Sequence, residues 1–383
     1  MRSQGGLFVR FVLRAVTLSG VIAMLISASS SVFAAGGGGS NAVFVETNGT
    51  TGNAILAYRR ADDGTLTQVE NYPTGGLGGA ASGAAVDPLA SQGALGYDSA
   101  HGLLLAVNAG SDSVSVFTVD GDTLQLQQVI GSGGFFPASI AVSGDLAYVL
   151  NAGGDGSING YRIAGGKLHA IEGSTRALGL GNANPPFFLA SPGQIGFTPD
   201  GGKLIVTTKK TGTIDVFNLA SSGRPSDSPT VTASVGPVPF AFAFDAAGRL
   251  IVTEAGSSSV TSYNINSDGS LTVVDPSVGN HQAATCWVTA ARGYFFVANA
   301  GSADLSGYAI NSAGALSLIN GSQVAATTGG GPIDLAVSSD GQYLYVESGG
   351  TGTVDEFRVN IDGTLGAIGV VAAARGLEGI VAI

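Results

Sequence analysis

The stretch PIDLAVSSDGQYLYVESGGTGTVDEFRVNIDGTL, residues 332–365, contains the pattern that decides the fold. An apolar strand runs through a Ser-Asp-Gly turn into a second apolar strand that ends in a small polar residue. A Gly-Thr loop and a third strand follow, and an Asp-Gly pair then leads to a fourth strand. Asp-Gly pairs supply the positive-φ residues of tight hairpins. The pattern therefore predicts an antiparallel sheet of four strands.

The same unit recurs along the chain about every 45 residues, the period of propeller blades. The N-terminal copy, from Ala42, lacks a first strand, and the chain ends in a lone strand. The two ends are therefore predicted to complete one blade, which removes exposed sheet edges. We predict an all-β, seven-bladed β-propeller with four antiparallel strands per blade, as a single domain over residues 42–383. Its first strands are predicted to begin near Ala94, Ala138, Gln194, Phe240, Ala284 and Ile333, with the last at Leu377–Ile383.

The first 35 residues have the layout of a secretory signal peptide. Three arginines precede an apolar stretch, Ala15–Ile26, and small residues follow it as far as Ala35. The alternative is an uncleaved membrane anchor, for which the apolar run is short. We predict a secreted or periplasmic protein that does not insert into a membrane once its signal is removed.

The composition narrows the range of partners. The chain has 27 Asp and Glu against 16 Lys and Arg, for a net charge of −11. Such a surface repels phosphate backbones, so nucleic acid is not an expected partner. The single cysteine, Cys286, lies in an apolar run and is interpreted as a buried structural thiol rather than a nucleophile. We expect a monomer.

Two repeated motifs resemble those of a known family. Asp-Gly-Thr/Ser-Leu hairpins occur at residues 63–66, 268–271 and 362–365, and second strands end in Val-x-Asn-Ala-Gly at Asn151 and Asn299. In these features the chain resembles the lactonase-like seven-bladed propellers, the family of 3-carboxymuconate cyclase and a bacterial 6-phosphogluconolactonase. The strand endings are also similar to the tandem repeats of bacterial surface-layer propellers. The resemblance implies a site where the loops converge around the propeller axis.

The chain departs from that family where the family's chemistry resides. The relatives typically carry Pro-Arg-His at the start of a first strand, a set of side chains suited to binding an anionic lactone. Here the corresponding segments are Pro137-Ala138-Ser139, Pro192-Gly193-Gln194, Pro239-Phe240-Ala241 and Pro332-Ile333-Asp334. Without guanidinium groups there is little to bind a phosphorylated or tricarboxylate substrate. We therefore expect the family's catalytic residues to be lost.

Candidate site residues come from the ends of second strands and the starts of first strands, which face the axis in a propeller. Seven are candidates for substrate binding: Asn108, Asn151, Gln194, Lys209, Asn299, Asp334 and Glu347. Glu254 and His281 are candidate catalytic residues, because a carboxylate near a histidine can act as a general base on a lactone. The alternative is that these Asn and Glu side chains satisfy backbone groups of the Gly loops. Two long connections, residues 74–93 and 172–192, are candidate lids or partner-binding loops.

Three functions remain open from the sequence. The first is binding of a neutral or cationic small molecule, a glycan or a protein on the central loop face. The second is hydrolysis of an uncharged lactone, and the third is a structural role on the cell envelope. No cofactor is expected and no metal-binding His spacing is present, although paired carboxylates leave a Ca²⁺ ion open.

Overall fold

The computed structural model describes residues 41–383, so the predicted signal peptide lies outside the described residues. The described chain forms thirty short strands and three single-turn 3-10 helices, Ala109–Ser111, Phe188–Ala190 and Ile319–Gly321. None of its helices is long and apolar enough to cross a bilayer.

The strands form seven separate sheets, numbered here as blades in chain order. Blade one contains β1 (Ala42–Glu46), β2 (Ala54–Arg60) and β3 (Leu66–Pro73). Blade two contains β4 (Leu95–Asp98), β5 (Leu103–Asn108), β6 (Ser113–Asp120) and β7 (Thr123–Gly131). Blade three contains β8 (Pro137–Ser143), β9 (Leu146–Asn151), β10 (Ser157–Ala164), β11 (Lys167–Ala170) and the short β12 (Arg176–Ala177). Blade four contains β13 (Pro192–Phe197), β14 (Lys203–Thr208), β15 (Thr213–Asn218) and β16 (Thr230–Ala233).

The remaining blades repeat the same order. Blade five contains β17 (Pro239–Phe244), β18 (Leu250–Glu254), β19 (Ser259–Ile265) and β20 (Leu271–Gly279). Blade six contains β21 (Thr285–Ala291), β22 (Tyr294–Asn299), β23 (Asp304–Ile310), β24 (Leu316–Leu318) and the short β25 (Ala326–Thr327). Blade seven contains β26 (Pro332–Val337), β27 (Tyr343–Ser348), β28 (Thr353–Val359) and β29 (Leu365–Ala372). The last strand, β30 (Ile380–Ala382), returns to blade one.

The two ends of the described chain close blade one. Strand β30 pairs antiparallel with β1, with Val45 opposite Ile380 and Val43 opposite Ala382. It thus takes the place of the missing first strand. The seven first strands, β30, β4, β8, β13, β17, β21 and β26, contact one another in turn and surround the axis. The predicted seven-bladed propeller, with one blade completed by both termini, is confirmed.

Five of the first strands carry an irregularity close to their start. The pairing register shifts next to Pro137, Pro192, Pro239, Thr285 and Ile333. A bulge takes a residue out of the ladder and leaves its peptide groups without a strand partner. Bulged inner strands therefore present free backbone groups toward the axis, where another part of the chain satisfies several of them.

Candidate functional site

The propeller axis is filled by a piece of the connection between blades one and two. We call residues Asp87–Gly93 the axial segment. Asp87, Leu89, Ala90 and Ser91 are buried, although the segment belongs to no strand. Loops usually lie on the surface because their backbone groups need partners. Here those partners come from the first strands of the surrounding blades.

Blades three, four and seven bind the axial segment through backbone and side-chain hydrogen bonds. The Ser91 hydroxyl donates to the carbonyl of Ala138 at 2.7 Å, and the amide of Gln92 donates to the carbonyl of Gly193 at 2.9 Å. The amide of Gly93 donates to Asp334 Oδ2 at 3.1 Å. Ala138, Gly193 and Asp334 all lie within the register shifts of their strands, so the segment completes the bulged ladders.

Blade six holds the same segment from another side. Trp287 Nε1 donates to the carbonyl of Ser91 at 3.0 Å. The Gln92 side chain pairs with the backbone of Val288 in both directions, each bond being 2.9 Å long. The segment is thereby fixed at the centre of the propeller.

A buried group of charges surrounds the start of the axial segment. Asp87, Glu378 and Lys209 are at most 4% exposed. Burial raises the pKa of the Asp87 carboxyl and raises that of Glu378 well above its usual range, and the two carboxyls also act on each other. Burial lowers the pKa of Lys209 to about 8, against the opposing charge of Asp87. The Glu378 carboxylate accepts the amide of Leu89 at 2.7 Å, and Asp87 accepts the amide of Ala90 at 2.6 Å.

More buried carboxyls lie next to this group. Burial raises the pKa of Asp334 to about 7, although its carboxylate accepts two backbone amides. Burial also raises the pKa of Glu347 and of Glu46 well above the usual range. Both carboxylate oxygens of Glu347 are buried without a hydrogen-bond partner. Lys209 is the lysine next to these groups, and a single ammonium cannot balance the charges of so many carboxylates. The centre of the propeller therefore favours protonated carboxyls at neutral pH.

A pocket of about 570 Å³ opens beside the axial segment, between blades five and six. It lies on the loop face, the face that carries the loops joining second to third strands. Asp87 is its one charged lining residue, and the rings of Phe188, Phe240 and Trp287 line it. Its other walls are Gly83, Ala85, Val86, Leu189, Val238, Ala255, Gly256, Ala284, Cys286, Ala300 and Gly301. Burial raises the pKa of the Cys286 thiol, which fits the expected structural role.

Four of the predicted substrate-binding residues lie near the axis. Lys209, Asp334 and Glu347 belong to the buried charges described above. Gln194 accepts the amide of Phe242 at 2.7 Å and so joins the first strands of blades four and five. None of the four lines the pocket itself. Their contact with a ligand stays a prediction.

The three asparagines lie within blades, where they fasten the second strand to the third. Asn108 donates to Ser115 Oγ at 2.8 Å, Asn151 bonds Asn159 Oδ1 at 3.0 Å, and Asn299 bonds Asp304 Oδ1 at 2.7 Å. All three are fully buried. These bonds go to other side chains, so the alternative that the asparagines satisfy backbone groups of the Gly loops stays a prediction, as does their contact with a ligand.

The two predicted catalytic residues are not brought together around a pocket. The Glu254 carboxylate accepts the amide of Gly236 at 2.7 Å and the hydroxyls of Ser259 and Thr261 at 2.9 Å each, so it is occupied inside blade five. His281 is exposed in the connection to blade six, at φ +59°. Neither residue lines the pocket.

Sequence reasoning missed Asp87 and Glu378, the two acids beside the pocket. One signal was available, because Asp87 is the only charged residue between Thr74 and Gly93. Within residues 41–383, no three His, Cys, Asp or Glu side chains are arranged to hold a metal ion.

Comparisons with known proteins locate the chain by its fold. No protein-family model matches it, and none of the curated proteins is similar to it in sequence. A protein from Lactobacillus plantarum is 18% identical, with a TM-score of 0.68 over 90% of this chain and 99% of its own. A candidate 6-phosphogluconolactonase from Bacteroides fragilis is 20% identical, with a TM-score of 0.67 over 90% of this chain and 98% of its own.

A third structure is the periplasmic gluconolactonase PpgL of Pseudomonas aeruginosa, 16% identical, with a TM-score of 0.66 over 90% of this chain and 99% of its own. At these identities the likeness concerns architecture and says nothing of individual site residues. The chain therefore shares the seven-bladed propeller fold of the 6-phosphogluconolactonase-like, or lactonase-like, proteins.

Proposed function

We propose that the protein binds a small, largely apolar molecule, neutral or positively charged, in the pocket between the axial segment and blades five and six. The observation that carries this proposal is the composition of the pocket. Three aromatic rings and small aliphatic side chains line it, and Asp87 is its one charged group. Apolar pockets of about 300–1,000 Å³ with a few polar groups are the usual form of small-molecule sites.

The charges around the pocket disfavour an anionic ligand. No Lys, Arg or His lines the pocket, so a carboxylate or phosphate would lose its hydration without gaining a cationic partner. A glycan is a weaker match, because its many hydroxyls would meet an apolar wall. We also infer that the protein acts in the periplasm or outside the cell. The predicted signal supports this, and one structural neighbour, PpgL, is a periplasmic protein.

The test uses three adamantane derivatives that differ mainly in charge. They are 1-adamantanemethanol, the neutral probe, 1-adamantanemethylamine, the cationic probe, and 1-adamantanecarboxylate, the anionic probe. We expect the first two to raise the melting temperature of the purified protein, since a ligand that binds only the folded state stabilises it. The carboxylate should have no effect at the same concentration.

Two pocket-filling variants locate the binding. Ala255→Phe and Ala300→Phe each place a ring into the pocket from its wall. Ala247→Phe makes the same change in blade five at an exposed position away from this pocket, and is the matched control. The proposal requires that the first two variants lose the thermal response and that the control keeps it. No response to any probe from folded wild-type protein would leave a structural envelope role as the better account.

Lactone hydrolysis is a second candidate, favoured by the pair of acids beside the pocket. Asp87 lines the pocket and interacts with Glu378, so one carboxyl can stay protonated while the other accepts a proton from water. An uncharged apolar lactone such as dihydrocoumarin would suit the walls. Proton release in a pH-stat should then be lost in Asp87→Asn. Release that instead depends on Glu254 and His281 would support the base predicted from the sequence.

A further inference from the structure

The chain contains three Asn-Gly pairs, which begin at Asn48, Asn159 and Asn320. In such a pair the backbone nitrogen of the glycine can attack the side-chain carbonyl carbon of the asparagine, because glycine has no Cβ to hinder the approach. The attack needs an asparagine side chain that is free to turn and a backbone that is free to rotate. The three pairs differ in both respects.

Asn320 lies in an exposed turn at the outer edge of blade six, between β24 and β25. The φ angle is +55° at Asn320 and +68° at Gly321, and the amide of Ser322 donates to the carbonyl of Ile319 at 3.0 Å. These are the features of a type I′ turn, which favours an Asn-Gly pair. The turn belongs to no strand ladder, so it can open without disturbing the blade.

The Asn320 pair is also free of tertiary contacts. The hydroxyl of Ser322 donates to the carbonyl of Val324 at 2.6 Å, but among residues 41–383 the Asn320 side chain has no hydrogen-bond partner. Apart from its chain neighbours, no described atom lies within 4 Å of the position that a Cβ on Gly321 would take. Both the side chain and the backbone of this pair are therefore free to move.

Asn48 is fixed at both atoms of its side-chain amide. It is 5% exposed, its Nδ2 donates to the carbonyl of Gly79 at 2.8 Å, and its Oδ1 accepts the amide of Gly79 at 2.9 Å. Gly49 is closely packed, because a Cβ there would lie 2.4 Å from the carbonyl oxygen of Gly52. Attack at Asn48 would have to break both bonds in a packed region.

Asn159 lies inside β10, where the ladder with β9 fixes the backbone. It is 7% exposed, its Oδ1 accepts from Asn151 at 3.0 Å, and its Nδ2 donates to Thr175 Oγ1 at 2.8 Å. A Cβ on Gly160 would lie 2.5 Å from the ring of Tyr148. This pair is therefore as restricted as the one at Asn48.

We propose that Asn320 is a site of spontaneous deamidation and that the fold protects Asn48 and Asn159 from the same reaction. The backbone nitrogen of Gly321 forms a bond to Cγ of Asn320, and the side-chain nitrogen leaves as ammonia. The resulting succinimide adds water at one of its two carbonyl carbons and opens to an aspartyl or isoaspartyl residue. One amide and one water molecule thus give one carboxylic acid and one ammonia, with no oxidant or reductant.

The reaction changes the surface of blade six without involving the pocket. It places a new carboxylate on an exposed turn, and the isoaspartyl product lengthens the main chain of that turn by one atom. None of residues 319–322 lines the pocket between blades five and six. The deamidation site therefore goes beyond the proposed function and does not depend on it.

The test is cleavage by hydroxylamine, which attacks the succinimide and cuts the chain between the asparagine and the glycine. One wild-type sample is treated in a mildly alkaline buffer in which circular dichroism shows the native fold, and another is treated after unfolding in guanidinium chloride. Mass spectrometry identifies the fragments. We expect the folded protein to be cut after Asn320 at least about tenfold faster than after Asn48 or Asn159, the factor that a difference of about 1.4 kcal/mol in local opening gives. The unfolded protein should be cut at all three pairs.

A pair of variants assigns the cut. Asn320→Gln should abolish it, because the longer side chain would have to close a six-membered ring. Asn71→Gln makes the same change at an exposed asparagine that no glycine follows, and should leave the cut unchanged. Folded wild-type protein that is cut at similar rates at all three pairs would overturn the proposal. So would protein that is cut after Asn320 only when it is unfolded.

Discussion

Trp287 donates its indole N–H to the backbone carbonyl of Ser91 at 3.0 Å, joining residues that are 196 positions apart in the sequence. The bond ties blade six to the axial segment. The same indole lines the pocket, and Trp287 is the only tryptophan in the chain. One side chain therefore both holds the centre of the propeller and can report on what enters the pocket.

Replacing this indole should loosen the axial segment. Trp287→Phe leaves the buried Ser91 carbonyl without its donor, which costs about 1–3 kcal/mol of unfolding free energy. Amide hydrogen exchange of residues 89–93 should accelerate, since local opening becomes easier. Hydrogen-exchange mass spectrometry of this peptide measures the effect.

The matched control for that change lies in the same blade. Tyr308→Phe removes a hydroxyl that donates to the carbonyl of Val278 at 3.0 Å, away from the axis. It should destabilise the protein without accelerating exchange in residues 89–93. Equal acceleration in both variants would mean that the Trp287 bond does not hold the segment.

The buried carboxyls should make the protein less stable as the pH rises from 5 to 8. Burial raises the pKa of Asp334 to about 7 and that of Glu347 well above its usual range. In this interval the folded state retains protons that the unfolded chain has already lost, so the stabilisation is full below about pH 4 and disappears as the pH passes the folded-state pKa. The free energy of unfolding should fall by a few kcal/mol, on the order of magnitude that such shifts imply. Urea denaturation at several pH values measures it.

Glu347→Gln should flatten that dependence. The Glu347 carboxylate has no side-chain hydrogen-bond partner to lose, and the amide has no charge to bury. The variant should therefore be more stable than the wild type at pH 8 and close to it at pH 5. Asp362 lies at an exposed hairpin, where hydrogen bonds from Thr364 lower its pKa. Asp362→Asn should therefore leave the change in unfolding free energy between pH 5 and pH 8 as it is in the wild type. If the unfolding free energy of the wild type stays level or rises from pH 5 to pH 8, the buried carboxyls do not have raised pKa values and the explanation is wrong.

Glu254 should be a residue of stability rather than of ligand binding. Glu254→Gln weakens charge-assisted bonds from Gly236, Ser259 and Thr261, at a cost of about 2 kcal/mol. The thermal response to 1-adamantanemethanol should persist. Glu70→Gln, an exposed change of the same kind, should alter neither property. If folded Glu254→Gln no longer shows the thermal response to 1-adamantanemethanol, Glu254 takes part in ligand binding.

The blades could be predicted from the sequence because each depends on local patterns. Alternating apolar residues and Asp-Gly turns fix the strands, and the predicted first-strand starts lie within three residues of those observed. The direction of single side chains at strand ends was harder. Glu347 and Ser348 are neighbours on β27, yet Glu347 joins the axial acids and Ser348 bonds Asp355 inside its blade. Side chains alternate along a strand, so a shift of one residue exchanges the two roles.

The axial segment could not be predicted, because no local pattern marks it. Residues 74–93 are rich in Gly and Ala and lack the alternation of a strand. The segment is buried because it bonds groups on four distant first strands, among them the carbonyls of Ala138 and Gly193, which lie within bulges. Asp87 and Glu378 come together only when the segment has packed at the axis. Their proximity depends on tertiary contacts and therefore has no local signal in the sequence.

The most direct test of the central claim is a titration of Trp287 emission with 1-adamantanemethanol, which does not absorb at the exciting wavelength. The account predicts a saturable change in emission that disappears in Ala300→Phe and persists in Ala247→Phe. An emission that stays constant up to the solubility limit of the alcohol, in protein shown to be folded, would contradict it. So would a saturable change that Ala300→Phe leaves intact.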